Sequence, residues 1–193
     1  MAGNLRAVMV GPIPKNIWAR PILARIRKSL FDILRERLKK ARFLDLFAGS
    51  ATVGIEALSR GARQVVFVDF NPQLERWIKS TLADLQKKYP SAFEGAQTAV
   101  HRADVTRGLA WLGQEFDIIF SGAPYVDKEK KLMLFVTELL KQIEKEKLLA
   151  PGGWFIAQHS RREPFEVPPS WQMFRQEKYG DSALSFFKQV DNV

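Results

Sequence analysis

The stretch RFLDLFAGSATVGIEALSRGA, residues 42–62, decides the fold because it carries a strand, a turn and a helix in close succession. Its first part, RFLDLF, is a short apolar run typical of a buried strand. The following SATVGIEALSRG is predicted to be a helix that ends at Gly61. A strand that passes through a tight turn into a helix is the repeating unit of α/β proteins.

The turn inside this stretch is predicted to be a ligand-binding loop. Asp45 closes the strand, and Gly49 and Ser50 follow in the loop, where glycine lets a ligand approach the backbone and the helix start offers free amides. No Lys-Ser/Thr pair follows a glycine here, and the glycine triplet of dinucleotide-binding folds is missing. A carboxylate at this place would repel a pyrophosphate, but it could accept hydrogen bonds from an ammonium-bearing ligand. An ordinary strand–helix turn is the alternative.

The rest of the chain repeats the alternation of strands and helices. Further strands are predicted at QVVFVDF, QTAVHRADV, FDIIFSG and GGWFIAQHS. The helical patterns between them are PQLERWIKSTLADLQKKY, TRGLAWLG and EKKLMLFVTELLKQIEKEKLL. Two last strands, WQMFRQEKYG and ALSFFKQV, are joined by the turn YGDS. We therefore predict an α/β fold, a doubly wound, Rossmann-like and mostly parallel sheet with a C-terminal antiparallel hairpin.

Three acidic residues each close one of three successive predicted strands. They are Asp45, Asp69 and Asp104. Ligands of such folds bind beyond the carboxyl ends of the strands, and Asp69 has the position and spacing of an acid that accepts hydrogen bonds from ribose hydroxyls. Asp104 could receive an exocyclic amine. A single Asp at a strand end is more often a helix cap or turn former, but three in succession favour an adenosine-containing ligand.

The net charge of +9 lies entirely in the first 42 residues. Residues 1–42 hold 11 basic and two acidic side chains, whereas residues 43–193 hold 19 of each. A neutral body with a basic N-terminal segment indicates nucleic acid as a partner, and a solvated basic helix is the alternative. We predict that this segment, an extended arm (residues 5–21) followed by the helix PILARIRKSLFDILRERLKK, belongs to the same domain as residues 43–193.

The composition excludes several classes of protein. A chain of 193 residues without Cys has no disulfides, no thiolate catalysis and no cysteine metal site. No apolar run approaches the roughly 18 residues that a membrane span requires. The N-terminus lacks the apolar core and cleavage site of a signal peptide. We predict a cytoplasmic protein that binds no membrane and no metal.

These residues together resemble the class I S-adenosylmethionine-dependent methyltransferases. The closer resemblance is to the RsmD-type family, which methylates guanine N2 in small-subunit ribosomal RNA. Residues 42–62 are very similar to the family signature and depart from it mainly at Ala51, where glycine is usual. RPILARIRKSLFDIL resembles the family's N-terminal Arg-Pro segment and helix, with Ile22 where Thr is general, and KYGDSALSFF resembles its closing hairpin.

The resemblance implies S-adenosyl-L-methionine as cofactor and ribosomal RNA, or the small ribosomal subunit, as partner of a monomer. The implied cofactor-binding residues are Asp45, Phe47, Gly49, Ser50, Asp69, Asp104 and Val105. The implied RNA-binding residues are Arg20, Arg25, Arg27 and Lys28. Because the cofactor brings its own electrophile, the protein must mainly hold the acceptor nitrogen in line with the methyl group. Neither a metal nor a covalent nucleophile is needed.

The predicted catalytic turn departs from the family pattern. Amino-group methyltransferases of this type end the fourth strand in Asp/Asn/Ser-Pro-Pro-Tyr/Phe, where a polar side chain holds the amine and the ring stacks on the base. Aligned without insertion, this chain has Gly122, Ala123, Pro124 and Tyr125. The stacking ring is kept, and the polar acceptor is replaced by glycine.

Three interpretations of this departure are open. In the first, which we favour, the carbonyls of Gly122 or Ala123, or a displaced Ser121, hold the amine and activity survives at a reduced rate. Strand alternation, however, points Ser121 away from the direction of residue 122. In the second, the chain is a catalytically impaired, RNA-binding relative. In the third, the acceptor differs from guanine, and an N6-adenine DNA methyltransferase is one such alternative.

Overall fold

The computed structural model describes residues 22–190, and its strands form one seven-stranded mixed sheet with helices packed against it. The chain divides into two compact units, the first ending at Val105 and the second beginning at Thr106. The predicted extended arm and Arg20 lie outside the described residues. Between residues 22 and 190, no helix is long and apolar enough to cross a membrane.

The first unit contains three parallel strands in the order β3-β2-β1. Its elements are α1 (Ala24–Ile33), β1 (Arg42–Leu46), α2 (Thr52–Ser59), β2 (Gln64–Asp69), α3 (Pro72–Lys88) and β3 (Gln97–Arg102), with 3-10 turns at Arg35–Arg37 and Pro90–Ala92. β1 and β2 are buried almost throughout, as is typical of parallel strands covered by helices. Asp45 of β1 pairs with Phe67 of β2, so the acidic ends of both strands reach the same edge.

The second unit contains four strands in the order β4-β5-β7-β6. Its elements are β4 (Phe116–Ser121), α4 (Val136–Lys145), β5 (Leu149–Ser160), β6 (Trp171–Tyr179) and β7 (Ser182–Gln189), preceded by 3-10 turns at Val105–Arg107 and Ala110–Leu112. β4 and β5 are parallel, whereas β7 is antiparallel to both β5 and β6. The predicted fold class, with its C-terminal antiparallel hairpin, is therefore confirmed.

Two helix predictions in the second half of the chain are wrong. TRGLAWLG forms 3-10 turns instead of a helix, because Gly108 between them is left-handed at φ 107°. The helix predicted from residue 129 begins only at Val136. Before it, the Asp127 carboxylate accepts hydrogen bonds from the amides of Glu129 and Lys131, both at 2.9 Å, and turns the chain back on itself.

The first helix is also shorter than predicted. It ends at Ile33 instead of continuing to residue 40. The chain then tightens into a 3-10 turn, in which the Arg37 amide donates to the Leu34 carbonyl at 2.8 Å, and reverses at Lys40, where φ is 63°. Hydrophobic periodicity continues through such a turn, so the pattern alone did not reveal the end of the helix.

Replacing Gly54 by alanine is expected to destabilise the protein by about 2–3 kcal/mol. Glycine inside a helix is normally less stable than alanine by about 0.5–1 kcal/mol, so the usual expectation is the reverse. Here a Cβ atom at Gly54 would lie 2.2 Å from Cε1 of Phe67, which is fully buried. Urea denaturation measures the effect.

The second-site variant Phe67→Leu provides the control for this prediction. Phe67→Leu should lower the free energy of unfolding less in the Gly54→Ala protein than in the wild type, because the smaller side chain leaves room for the new methyl group. A Gly54→Ala protein as stable as the wild type would contradict the packing that we describe.

Candidate functional site

The loop between β1 and α2 has an unusual backbone. Phe47, Gly49 and Ala51 are left-handed, with φ of 55°, 50° and 52°. For a residue with a Cβ atom this conformation costs about 1–2 kcal/mol, and such strain tends to be found at functional sites. Ala51 is also fully buried and directly precedes α2. The glycine that is usual in the family at this position would therefore relieve strain.

Asp69 holds this loop in place. Its Oδ2 accepts a hydrogen bond from the Gly49 amide and its Oδ1 accepts one from the Asn71 amide, both at 2.9 Å. Burial raises the pKa of Asp69, and the hydrogen bonds from the amides of Asn71, Gly49 and Phe70 oppose that rise. The structure thus brings two predicted cofactor-binding residues, Gly49 and Asp69, into direct contact.

Asp45 lies beneath the loop and binds the start of α2. Its Oδ2 accepts a hydrogen bond from the Gly54 amide at 2.9 Å, and the residue is only 1% exposed. Burial raises the pKa of Asp45 well above its usual value, the Gly54 amide opposes this rise, and the negative charge of Asp69 adds to it. A carboxylate at a helix N-terminus also interacts favourably with the helix dipole. Asp45 therefore orients α2 in addition to any role toward a ligand.

The variant Asp45→Asn is expected to be more stable than the wild type at about pH 8, by on the order of 1 kcal/mol. The asparagine Oδ1 can still accept from Gly54, and no charge is buried. Because the pKa of Asp45 is raised in the folded state, the folded protein binds this proton more tightly than the unfolded chain does. Wild-type stability should therefore fall as pH rises through that pKa, whereas Asp45→Asn lacks this dependence.

Urea midpoints at about pH 5 and pH 8 test this prediction. The stability difference between variant and wild type should be larger at the higher pH. Asp84→Asn, which changes an exposed carboxylate on α3, is the matched control and should show no such trend. A pH-independent difference for Asp45→Asn would contradict the burial argument.

The remaining predicted cofactor residues surround this cluster. The Ser50 hydroxyl lies 3.1 Å from the Thr52 hydroxyl. Asp104 is exposed and lies two residues beyond the end of β3, and Val105 next to it is buried. The preceding Ala103 amide donates to the Asp69 carbonyl at 3.1 Å, which ties this segment to β2.

Two residues near Asp69 were not predicted from the sequence. Phe70 follows Asp69 and is 69% exposed, which is unusual for a Phe side chain and leaves its ring open to a planar ligand. Asn71 caps α3, since its side chain accepts from the Gln73 amide at 2.8 Å. The exposed ring had no signal in the sequence, but Asn before Pro72 is a recognisable cap signature.

The predicted catalytic turn leads out of β4 in the second unit. Ser121 is buried at the end of β4, Ala123 is buried, and Gly122, Pro124 and Tyr125 are partly exposed. Gly122 is not left-handed, so its backbone accommodates an L-side chain.

Tyr125 is held at both ends. Its hydroxyl accepts a hydrogen bond from Nε2 of Gln158 at 2.8 Å, and its carbonyl accepts from the Met133 amide at 2.9 Å. The chain between Tyr125 and Met133 forms a narrow loop, which is closed by an antiparallel bridge between Val126 and Leu132. Gln158 lies 33 residues from Tyr125 and was not predicted as a site residue.

The predicted RNA-binding residues of the described chain lie on α1. Arg25 is exposed, Arg27 is partly exposed, and Lys28 is exposed but forms an ion pair with Asp32 at 2.6 Å. The buried face of α1 includes Phe31, and the guanidinium of Arg60 on α2 lies 5.1 Å from its ring centroid. The fourth predicted residue, Arg20, lies outside the described residues.

Comparison with known proteins bears on both the fold and the family of this chain. The model of a protein family described as conserved hypothetical protein 95 matches residues 1–188. The chain belongs to this family. Because its curated relatives include proteins named ribosomal RNA small subunit methyltransferase D, the predicted resemblance to the RsmD-type family is confirmed.

Three similar proteins show how far the RsmD-type likeness extends. YlbH of Bacillus subtilis is 34% identical over 173 residues, which is 88% of each chain. The ribosomal RNA small subunit methyltransferase D of Escherichia coli K12 is 25% identical over 185 residues, 92% of this chain and 83% of the relative. The solved structure of yhhF from Escherichia coli has a TM-score of 0.77 at 23% identity and covers 98% of this chain and 96% of its own. That last likeness shows the fold alone, which is the class I methyltransferase fold.

The described residues of this RsmD-type protein contain no group of three or more His, Asp or Glu side chains that could hold a metal ion. The chemistry of the loop also indicates the kind of ligand it suits. Asp45 and Asp69 supply two carboxylates, and the stretch from Asp45 to Gly54 contains no Lys or Arg. This donor set fits an adenosyl ligand that carries positive charge and does not fit a phosphate-rich one.

Proposed function

We propose that this protein uses S-adenosyl-L-methionine to methylate an exocyclic amine of a base in small-subunit ribosomal RNA, with guanine N2 as the favoured acceptor. The observation that carries the proposal is the contact of the Asp69 carboxylate with the Gly49 amide, which joins the ribose-binding acid to the loop after β1. Membership of the RsmD-type family and the names of its relatives support the reaction and the substrate. We further propose that it acts as a cytoplasmic monomer.

The residues of the first unit would bind the cofactor, whose contribution is an electrophilic methyl group on a sulfonium. Asp69 accepts hydrogen bonds from the ribose hydroxyls, and the left-handed Gly49 lets the backbone approach the ligand. Asp104 accepts a hydrogen bond from the adenine amine, and the exposed ring of Phe70 offers an apolar face to the purine. Asp45 keeps α2 in register with the loop through Gly54.

The turn after β4 would hold the acceptor base. The Tyr125 ring stacks on the base, and the carbonyls of Gly122 or Ala123 accept hydrogen bonds from the exocyclic amine. This amine is a poor nucleophile because its lone pair is delocalised into the ring, so holding it in line with the methyl group supplies most of the rate. We favour these carbonyls over Ser121, which is the last residue of β4 and is buried.

RNA would reach the site along the basic N-terminal segment. Residues 1–42 carry the whole net charge of +9, and Arg25 and Arg27 of α1 are accessible to phosphates. Contacts with phosphates release counterions, so binding should weaken steeply as salt concentration rises. Lys28 contributes less, because Asp32 neutralises it.

Two measurements on the purified protein test the proposal. Calorimetry with S-adenosylmethionine should detect binding, and radiolabelled cofactor should transfer label to ribosomal small subunits that lack the modification. Digestion of that RNA should place the label in N2-methylguanosine. The absence of cofactor binding at millimolar concentration would overturn the proposal.

A second candidate function is favoured by one observation, the glycine at position 122. A protein without a polar acceptor there could bind cofactor and RNA without turnover and act in ribosome assembly. Cofactor binding without label in any ribosomal RNA would favour this non-catalytic function over methyl transfer.

A further inference from the structure

We propose that Gln158 is a positioning residue that fixes where the Tyr125 ring lies in the acceptor-base site. The inference rests on the proposed function, because it assigns Tyr125 the task of stacking on the base. Its basis is the hydrogen bond of 2.8 Å from the Gln158 side-chain amide to the Tyr125 hydroxyl. The hydroxyl oxygen lies on the axis about which a Tyr ring turns, so this bond fixes the position of the far end of the ring and with it the χ1 angle of Tyr125.

Gln158 lies on an interior strand of the sheet. β5 has a paired neighbour on each side, β4 and β7, and within it Gln158 pairs with Leu184 of β7. The adjacent Ala157 pairs with Ser121, the last residue of β4 before the catalytic turn. The amide is therefore presented from a rigid element, at the point where the turn leaves the sheet.

The neighbouring residue adds to this rigidity. His159 is buried, and its ring nitrogens lie 2.8 Å from the Ser185 hydroxyl and 2.8 Å from the Ser160 carbonyl. Its ring also meets Phe165 edge-on, with centroids 5.1 Å apart. Side chains alternate along a strand, so Gln158 points to the opposite face from His159. The fixed His159 therefore holds the backbone from which Gln158 reaches Tyr125.

The backbone of Tyr125 is held by a different hydrogen bond from the one that holds its side chain. The Met133 amide binds the Tyr125 carbonyl, and the bridge between Val126 and Leu132 closes the loop behind it. Loss of Gln158 should therefore leave the loop in place and remove the hydrogen bond that fixes the hydroxyl end of the ring. The expected defect is in the alignment of the base, and cofactor affinity should not change.

The main test is a double-mutant cycle with Gln158→Met and Tyr125→Phe, which remove the two partners while keeping the bulk of each side chain. Gln158→Met should lower kcat on RNA by about tenfold, the value of one partly buried hydrogen bond, with cofactor Kd within about twofold of wild type. In the Tyr125→Phe background, Gln158→Met should have almost no further effect. Losses that multiply in the double variant would overturn the inference.

Two further variants separate positioning from a general structural effect. Gln158→Glu should recover most of the activity, because its carboxylate can accept a hydrogen bond from the Tyr125 hydroxyl. Gln172→Met is the matched control, since Gln172 is an exposed glutamine on β6, where it pairs with Lys188 of β7. It should keep wild-type kcat, and a loss equal to that of Gln158→Met would overturn the inference.

A readout without methyl transfer keeps this inference separate from the proposed function. The chain has three Tyr residues, so the ring signal of Tyr125 can be assigned in a tyrosine-labelled protein by its disappearance in Tyr125→Phe. Gln158→Met should shift this signal and leave those of Tyr89 and Tyr179 unchanged, and Gln172→Met should shift none of the Tyr125 resonances. An unmoved Tyr125 signal would overturn the inference, whether or not the wild type methylates RNA.

Discussion

Replacing Asp69 by asparagine is expected to weaken the binding of S-adenosylmethionine by about two orders of magnitude or more. Both carboxylate oxygens accept backbone hydrogen bonds, from Gly49 and from Asn71. An asparagine amide would direct its NH2 group at one of these two amides, and the loop after β1 would lose an anchor. The ribose hydroxyls would at the same time lose a charged acceptor, and a hydrogen bond to a charged group contributes about 1.5–3 kcal/mol. The two losses together correspond to a factor of about 100 or more in Kd.

Calorimetry at about pH 7.5 measures this effect, with Asp84→Asn as the control that removes an exposed carboxylate from the neighbouring helix α3. The control should bind the cofactor as the wild type does. Circular dichroism must show that Asp69→Asn is folded before its Kd is interpreted. A folded Asp69→Asn protein with wild-type affinity would show that another residue binds the ribose.

The pH dependence of the same affinity gives an independent check. Burial raises the pKa of Asp69, so the free protein takes up this proton at a higher pH than an exposed Asp would. Protonation removes the charge that the ribose hydroxyls need. The wild-type affinity should therefore fall as pH is lowered toward that pKa, whereas the affinity of Asp69→Asn should stay nearly flat across the same range.

The contacts of the predicted cofactor-binding residues were largely predictable from the sequence, because their signals are local. Asp45 and Asp69 stand at the ends of adjacent parallel strands, and parallel strands bring their carboxyl ends to one edge of the sheet. The glycine loop between β1 and α2 was visible from Gly49. The sequence did not reveal that Asp45 accepts a hydrogen bond from the Gly54 amide. An acid at the end of a strand looks the same in the sequence whether or not it binds an amide nine residues later.

The contacts of the predicted catalytic turn were predictable only in part, because they join distant segments. The turn from Gly122 to Tyr125 followed from alignment with a known pattern, but Gln158 reaches Tyr125 from a strand 33 residues away. Hydrophobic periodicity places strands and helices without specifying which side chains meet between them. The start of the helix predicted from residue 129 was wrong for a related reason. The Asp127 side chain binds the amides of Glu129 and Lys131 and forms a turn where the hydrophobic pattern predicts a helix.

The variant Gly122→Asp is expected to raise the rate of methyl transfer by about 10- to 100-fold. Removing one preorganised hydrogen-bond partner from a catalytic site typically costs a factor of about 10²–10³, and a restored but unoptimised partner should recover part of it. Gly122 is not left-handed, so the backbone can carry the new side chain without the strain seen at Ala51. The carboxylate would accept a hydrogen bond from the exocyclic amine of a base stacked on Tyr125.

Single-turnover transfer of radiolabelled methyl to ribosomal RNA at saturating cofactor measures this rate directly, and Gly122→Ala is the matched control. Alanine imposes the same restriction on the backbone but offers no acceptor, so its rate should stay at or below that of wild type. Equal rates for Gly122→Asp and Gly122→Ala would mean that the turn does not limit catalysis and that backbone carbonyls already hold the amine. A gain for aspartate alone would assign the slow step to the missing acceptor, because cofactor affinity, measured in parallel, should be the same for all three proteins.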